Sequence, residues 1–402
     1  MDFILGMLPQ FDRSFFLTGT IFAAGGAIVI VMVYVIARRA MRHIRSQRFD
    51  ALAIKIHKQW REIVRGDVPA EEWRRDAMQC EIVQSIVIQE ISAATDKDRT
   101  GLQEFLRANG LIGRCVQKVQ TGHGWGRRRA MLALGAMRVP EAIAPLTEAL
   151  DDWQLDTRMA AVQSLGRTRL AEAGEPIIES FMVGGLKVPE DPVANALVRC
   201  FMDRPAALMP FLRRSQGEAR ELLARVASEL AIPTMADEML ILSADPRPEV
   251  RACAARALSV APLAMAIPAL ADLARDEVWF VRLRATAALN EIPHPRVIPV
   301  LLDAVRDPNR LVRMRAASAL SKFQQDTVEI LQSIVDSRDR YALHAMISAL
   351  ELGGGFGKVM AELADPLLHD QTARLLLDAL REGAAGLWTA RPADPVVESV
   401  FP

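Results

Sequence analysis

Tyrosine is nearly missing from this chain, with two in 402 residues, and aromatic residues together make up only 5%. β-branched residues are also thin beyond the first forty positions, so a sheet protein is excluded and helix is the default state. The four cysteines, Cys80, Cys115, Cys200 and Cys253, share no short spacing, which leaves neither a disulfide framework nor a zinc knuckle. Neither sign of charge is in excess: Lys plus Arg and Asp plus Glu both total 49, giving no global reason to expect a nucleic acid partner. The six histidines, His43, His57, His123, His294, His344 and His369, form no metal-ligand pattern. No Gly-x-Ser-x-Gly serine occurs. The run from Gly353 to Lys358 lacks the glycine spacing of a phosphate loop and carries Val359 where Ser or Thr would bind magnesium. Acidic residues fall at helix ends, and no two are paired for acid–base work. These absences predict a chain that is not an enzyme and holds no cofactor and no metal.

One long apolar run is present. Residues 14–37 carry no charge and, as a helix, reach about 36 Å, enough for a hydrocarbon layer of about 30 Å. Arg38, Arg39, Arg42, Arg45 and Arg48 follow, against Asp2, Asp12 and Arg13 before it. The bias of basic residues toward the cytoplasm predicts a single-pass inner-membrane protein with residues 1–13 outside and the rest inside. A cleaved signal peptide would need its basic residues before the apolar run. Gly19, Ala23, Gly25 and Gly26 offer either a close-packing face for another membrane helix or a plain anchor.

Residues 38–120 read as a basic juxtamembrane segment and helical adaptor. From Phe49 to Val64, Leu52, Ile56, Trp60 and Ile63 recur at helical spacing among Lys55, Lys58, Arg61 and Arg65. This amphipathic helix either lies on anionic lipid headgroups, with the five arginines as candidate lipid contacts, or docks onto the following residues. Further helices are predicted over 70–91 and over 102–119 around Gly110.

The feature that decides the architecture is a repeat. Asp245, Asp276 and Asp307, 31 residues apart, each open the pattern Asp, four variable residues, Val-Arg, two variable, Ala, two variable, Ala-Leu. The same ruler finds weaker copies at Asp152–Arg158 and Gly126–Leu134, two degenerate copies before Asp245, and further copies at 342–350 and 373–380. Eight or slightly more units therefore occupy 121–382, each with two helices, and residues 383–402 read as a loose tail. One such unit cannot bury its own apolar stripe, so neighbours must stack. The recurring Arg158, Arg251, Arg282 and Arg313 resemble a phosphate-binding ladder, but aspartates at matching loop positions favour a structural guanidinium–carboxylate network. Pro145, Pro176, Pro268 and Pro299 are expected to bend first helices.

The segments DPRPEVRACAARAL, DEVWFVRLRATAAL and DPNRLVRMRAASAL resemble the HEAT repeat family, particularly its short bacterial variety. The resemblance covers about two thirds of the chain and implies an all-α superhelical solenoid, here with one N-terminal transmembrane helix. It also implies a scaffold or adaptor that binds another membrane or cytoplasmic subunit, as in a secretion or polysaccharide-synthesising complex. Some members of the family act as bilin lyases or their chaperones, an alternative that would need Cys200 and Cys253 to open onto a cleft. Trp125, Trp153, Trp279 and Phe280 stand just before repeat arginines. They either pack between units or, where exposed, are candidate partner contacts.

Overall fold

The structure is a computed structural model that describes residues 13–65, 67–69, 73, 76–184, 186–364 and 371–389. The expected extracytoplasmic segment 1–13 and the last part of the tail lie largely outside these residues. The chain divides into two compact units, Met1–Lys118 and Val119–Pro402.

In the first unit no glycine or proline interrupts the sequence from Ala27 to Lys58, and its Ala, Ile, Met, Arg and Lys residues tolerate a helix well. The result is one continuous helix, α1 (Arg13–Lys58), about 69 Å long, where the sequence suggested an apolar span and a separate amphipathic helix. Within it, Ala24–Lys58 is long and apolar enough to cross a membrane, and its apolar window is unburied. After a short break come α2 (Trp60–Arg65), α3 (Ala77–Ala93), α4 (Asp96–Ala108) and α5 (Leu111–Thr121). The Asp76 carboxylate caps α3 by accepting from the Met78 N–H, and Gly110, at φ 65°, turns the chain between α4 and α5. The two alternatives for the amphipathic stretch resolve toward docking. Ile56, Trp60 and Ile63 are buried, and Trp60 meets the Phe105 ring edge-on at 5.9 Å while Trp73 stacks on it at 5.6 Å.

The second unit is an all-helical HEAT-like array in which short first helices alternate with longer second helices. The second helices are α6 (Gly124–Ala136), α8 (Leu155–Thr168), α10 (Glu190–Phe201), α12 (Gly217–Glu229), α14 (Pro248–Leu258), α16 (Trp279–Leu289), α18 (Arg310–Leu320) and α20 (Arg340–Leu352). Between them lie α7 (Ile143–Glu148), α9 (Gly174–Met182), α11 (Met209–Arg214), α13 (Ala236–Ser243), α15 (Leu263–Leu273), α17 (Ile298–Ala304) and α19 (Thr327–Asp336). α21 (Phe356–Leu363) and α22 (Gln371–Thr389) follow. Each second helix packs on the next, from α6 through to α22.

The repeat positions make this row. Val250, Ala254, Ala257 and Leu258 are buried, as are their counterparts Val281, Ala285, Ala288 and Leu289, and Val312, Ala316, Ala319 and Leu320. Valine and leucine supply about 1.5–3 kcal/mol each on burial, while alanine sets how closely the helices approach. The approach is very close at the position after the repeat leucine where that residue is glycine. A Cβ on Gly135 would lie 2.2 Å from the Ser164 carbonyl oxygen, and one on Gly166 would lie 2.7 Å from Ala196 Cα.

Two expectations are corrected. Pro145, Pro176 and Pro299 do not bend helices: each falls within the first three positions of its α-helix, directly after a 3-10 turn, where a missing N–H costs nothing. Only Pro268 of the four lies inside a helix. The loose tail expected from Gly383 is instead helical as far as Thr389, because Gly383 lets α22 settle against Ile347 and Leu343 of α20.

Candidate functional site

The recurring arginines and aspartates at the starts of the second helices are joined in a ladder. Arg127, Arg220, Arg251 and Arg282 each reach the aspartate 25 residues further on, Asp152, Asp245, Asp276 and Asp307, at 2.5, 2.6, 2.7 and 2.6 Å. Arg251 and Arg282 bind both carboxylate oxygens, and each also donates to two carbonyls of its own loop. The other side of each aspartate accepts a backbone N–H two residues on, from Gln154, Arg247, Val278 and Asn309.

Burial pushes the Asp152 and Asp276 carboxyls up, but hydrogen bonds from backbone N–H groups and from Arg127 and Arg251 outweigh it, so both sit below the ordinary carboxylate range. Hydrogen bonds donated to Asp276 and Asp307 hold Arg251 and Arg282 above the usual arginine value. These guanidiniums are committed to clamping neighbouring units and are not a phosphate-binding row.

The ladder breaks twice. Arg158 donates to the Asp152, Trp153 and Lys187 carbonyls, since the degenerate next unit has no aspartate in register. Arg313 donates to the Asp307 and Pro308 carbonyls, and its guanidinium rests over the Tyr341 ring at 5.3 Å. In the following unit Ser337 stands at the Asp307 position and accepts the Asp339 N–H, so Arg313 has no carboxylate in register, while Asp339 takes the place of Asn309 as the N-cap of α20.

The four partner-contact candidates are distributed along the array and do not form one cluster. Trp153 is 83% exposed in the loop before α8. Trp125, 68% exposed, lies in the first turn of α6 with Arg129 5.7 Å from its ring centroid. It borders an open cleft of about 410 Å³ with Arg128, Met159 and Gln163. Trp279, 44% exposed, starts α16 and meets the half-buried Phe280 edge-on at 6.0 Å. Leu311 and Tyr341, both exposed, occupy the Phe280 position in the next two second helices. A large apolar residue at one register in consecutive units was the available signal.

In the first unit Arg38, Arg39, Arg42 and Arg48 of α1 are exposed. Arg38, Arg42 and Arg45 share one helix face by register, while the side chain of Arg45 lies outside the described set.

Cys80, Cys115 and Cys200 are buried and Cys253 is half-buried. Burial raises the Cys115 and Cys253 thiols and pushes Cys200 up to about 12. Cys200, 1% exposed, opens onto no cleft. Gly353, Gly354 and Gly355 form the turn between α20 and α21, with Gly354 at φ 69°. Lys358 lines a cavity of about 90 Å³ there with Ser321, Thr327 and Glu362. Among the described residues no three His, Cys, Asp or Glu side chains are placed to hold a metal ion.

The HEAT repeats family model matches residues 116–182 and 267–351. A search of curated proteins gives no match. Among solved structures, YibA of E. coli is 17% identical, with 68% of this chain and 96% of that one covered at a TM-score of 0.31. Kap95p, from a structure with RanGDP, is 12% identical over 76% of this chain and 53% of that one, at a TM-score of 0.39. The complex of CpcE and CpcF of phycocyanin lyase from Nostoc is 22% identical over 54% and 92%, at a TM-score of 0.25. All three likenesses are weak.

Proposed function

We propose that this HEAT-like repeat protein is a membrane-anchored, non-enzymatic scaffold, an accessory subunit that holds a membrane or cytoplasmic protein within an envelope complex such as a secretion or polysaccharide-synthesising machine. The observation that carries this reading is one chain that joins an unburied, membrane-length apolar helix to an array whose repeat charges are committed to internal clamps. Catalysis would need uncommitted polar groups in an enclosed site. Here the repeat aspartates are bound to arginine and backbone N–H, and of the two thiols that a lyase-like activity would need at a cleft, Cys200 is shielded and its thiol pushed up while Cys253 is half-buried and raised.

Residues 14–37 of α1 form the single-pass anchor, with the N-terminus outside and the array in the cytoplasm. Arg38, Arg39, Arg42, Arg45 and Arg48 then lie at the inner surface, where each basic residue near anionic headgroups contributes about 1 kcal/mol. Liposome flotation with and without anionic lipid tests this contact: replacing the five arginines by glutamine should reduce binding selectively on anionic vesicles.

The scaffold reading is tested by isolating the full chain from membranes in mild detergent and measuring the mass of what comes with it. A partner at fixed stoichiometry is the expected result. Repeated recovery of a lone monomer would count against it.

A further inference from the structure

We infer that the exposed face of α16, α18 and α20 is a docking surface for an acidic amphipathic segment of a partner protein. This deepens the scaffold reading and rests on it.

The three helices share a register. Phe280 and Leu311 are one 31-residue repeat apart, and Tyr341 follows at 30 because Ala342, Met346, Ile347 and Leu350 are buried as Val312, Ala316, Ala317 and Leu320 are. Adjacent packed helices lie about 8–10 Å apart, so matching positions on successive helices are neighbours. One row is therefore Phe280, Leu311 and Tyr341, and beside it run Leu283, Met314 and His344. Leu311, Met314 and Tyr341 are exposed, and Phe280, Leu283 and His344 are half-buried. Together they place five apolar residues and His344 side by side on three packed helices, a concentration that is unusual on a free surface.

Charge decides what fits it. α16 and α18 contain no acidic residue, and α20 carries one, Glu351, in its last turn. Arginines flank the strip. Arg282 and Arg313 are committed to loop carbonyls, the former also to Asp307. Arg284, Arg310 and Arg315 are exposed, and among the described residues no carboxylate pairs with them. Arg340 rests over the Tyr341 ring at 5.0 Å. The nearby acids are otherwise engaged: Asp307 by Arg282, Asp339 as the N-cap of α20, and Glu277 beside Arg251. By contrast α12 alone carries Glu218, Glu221 and Glu229, so the charge of the second helices varies along the array.

An occupant must present apolar side chains to the strip and carboxylates to its arginine rims. An amphipathic helix with Leu or Phe at helical spacing and Glu or Asp on its flanks does both. Single-stranded nucleic acid would meet the arginines and the Phe280 and Tyr341 rings, but Leu311 between those two, with Leu283 and Met314 beside it, breaks the run of planar rings that a stacking platform needs.

The experiment uses the full chain in nanodiscs of neutral phosphatidylcholine and fluorescence anisotropy. The probes are a 16-residue peptide with Leu and Phe at helical spacing and Glu elsewhere, its counterpart with Lys for Glu, and a 16-nucleotide single-stranded DNA. The Glu peptide should bind, more weakly as salt rises, and at least tenfold more weakly to the Arg284→Glu/Arg315→Glu variant. The Lys peptide should not bind. Ile241→Ala, exposed on α13 and outside the three helices, should leave the affinity unchanged, and circular dichroism melting confirms that the variants stay folded. No binding of the Glu peptide, binding indifferent to the arginine substitutions, or tighter binding of the DNA at the same residues would each overturn the inference. Photo-crosslinking from position 314 in the membrane-isolated complex separates the two readings. A stoichiometric partner that crosslinks at Trp125 or Trp153 but not at 314 defeats this surface and leaves the scaffold standing. A lone monomer that still binds the Glu peptide does the reverse.

Discussion

Arg251 lays its Nε and Nη2 against the two carboxylate oxygens of Asp276 at 2.7 and 3.0 Å, joining α14 to the loop that opens the next unit. Both side chains are nearly covered, at 12% and 9% exposure. The same contact recurs one repeat later between Arg282 and Asp307, so inter-unit clamping is written into the period of the sequence.

Removing Asp276 leaves the Arg251 charge partly buried without its carboxylate and frees the Val278 N–H that caps the loop. Asp276→Ala should destabilise the array by about 3 kcal/mol, the scale for breaking one side of a buried pair. Denaturant unfolding checks this. A loss within experimental error would show that the clamp is not structural.

The clamp also sets an acid limit. The Asp152 and Asp276 carboxyls sit below the unfolded-chain value of about 3.9, so their stabilisation is complete above about pH 4 and is lost as pH falls through the lower folded-state values. Stability should stay level from neutral pH to about pH 4 and fall below it. Asp276→Asn should flatten that fall while lowering stability at pH 7, as melting curves across the range would show.

Gly135 and Gly166 mark the closest helix approaches. Gly135→Ala would drive a methyl into the Ser164 backbone, which cannot move aside without shifting α8, and should cost about 1–3 kcal/mol or more. Gly126→Ala, with open space around it, should be near neutral. Equal effects at the two sites would contradict the close packing of α6 on α8.

The thiols give a further check. Cys200 should react with an aromatic disulfide reagent only after unfolding, and the half-buried Cys253 faster than Cys200. Rapid modification of Cys200 in the folded chain would reopen the cleft that a bilin-lyase-like activity requires.

The helical array was legible because its physical cause is periodic. Val, Ala and Leu recur every 31 residues, and that recurrence is the buried seam itself. The ladder was legible in outline, since arginine and aspartate recur with it. Its breaks at Arg158 and Arg313 were not, because each depends on which residue falls in register: no aspartate for Arg158, and Ser337 at the Asp307 position for Arg313. The prolines misled because their effect depends on distance from the helix start. Three of them sit where a 3-10 turn hands over to the α-helix, a boundary that apolar spacing does not mark. The apolar strip on α16, α18 and α20 was half seen, through Trp279 and Phe280. Leu311 and Tyr341 stand at the same register, but the one-residue slip before Tyr341 hides that match until the helices are packed.

The most direct measurement compares the unaltered chain with a Val29→Arg/Val33→Arg variant in membrane fractionation, followed by mild-detergent isolation and mass analysis. The unaltered chain should remain with the membranes and carry a partner at fixed stoichiometry, while the variant should leave the membrane fraction and lose most of that partner. An unaltered chain recovered without detergent, alone and monomeric, would contradict a scaffold held at the membrane.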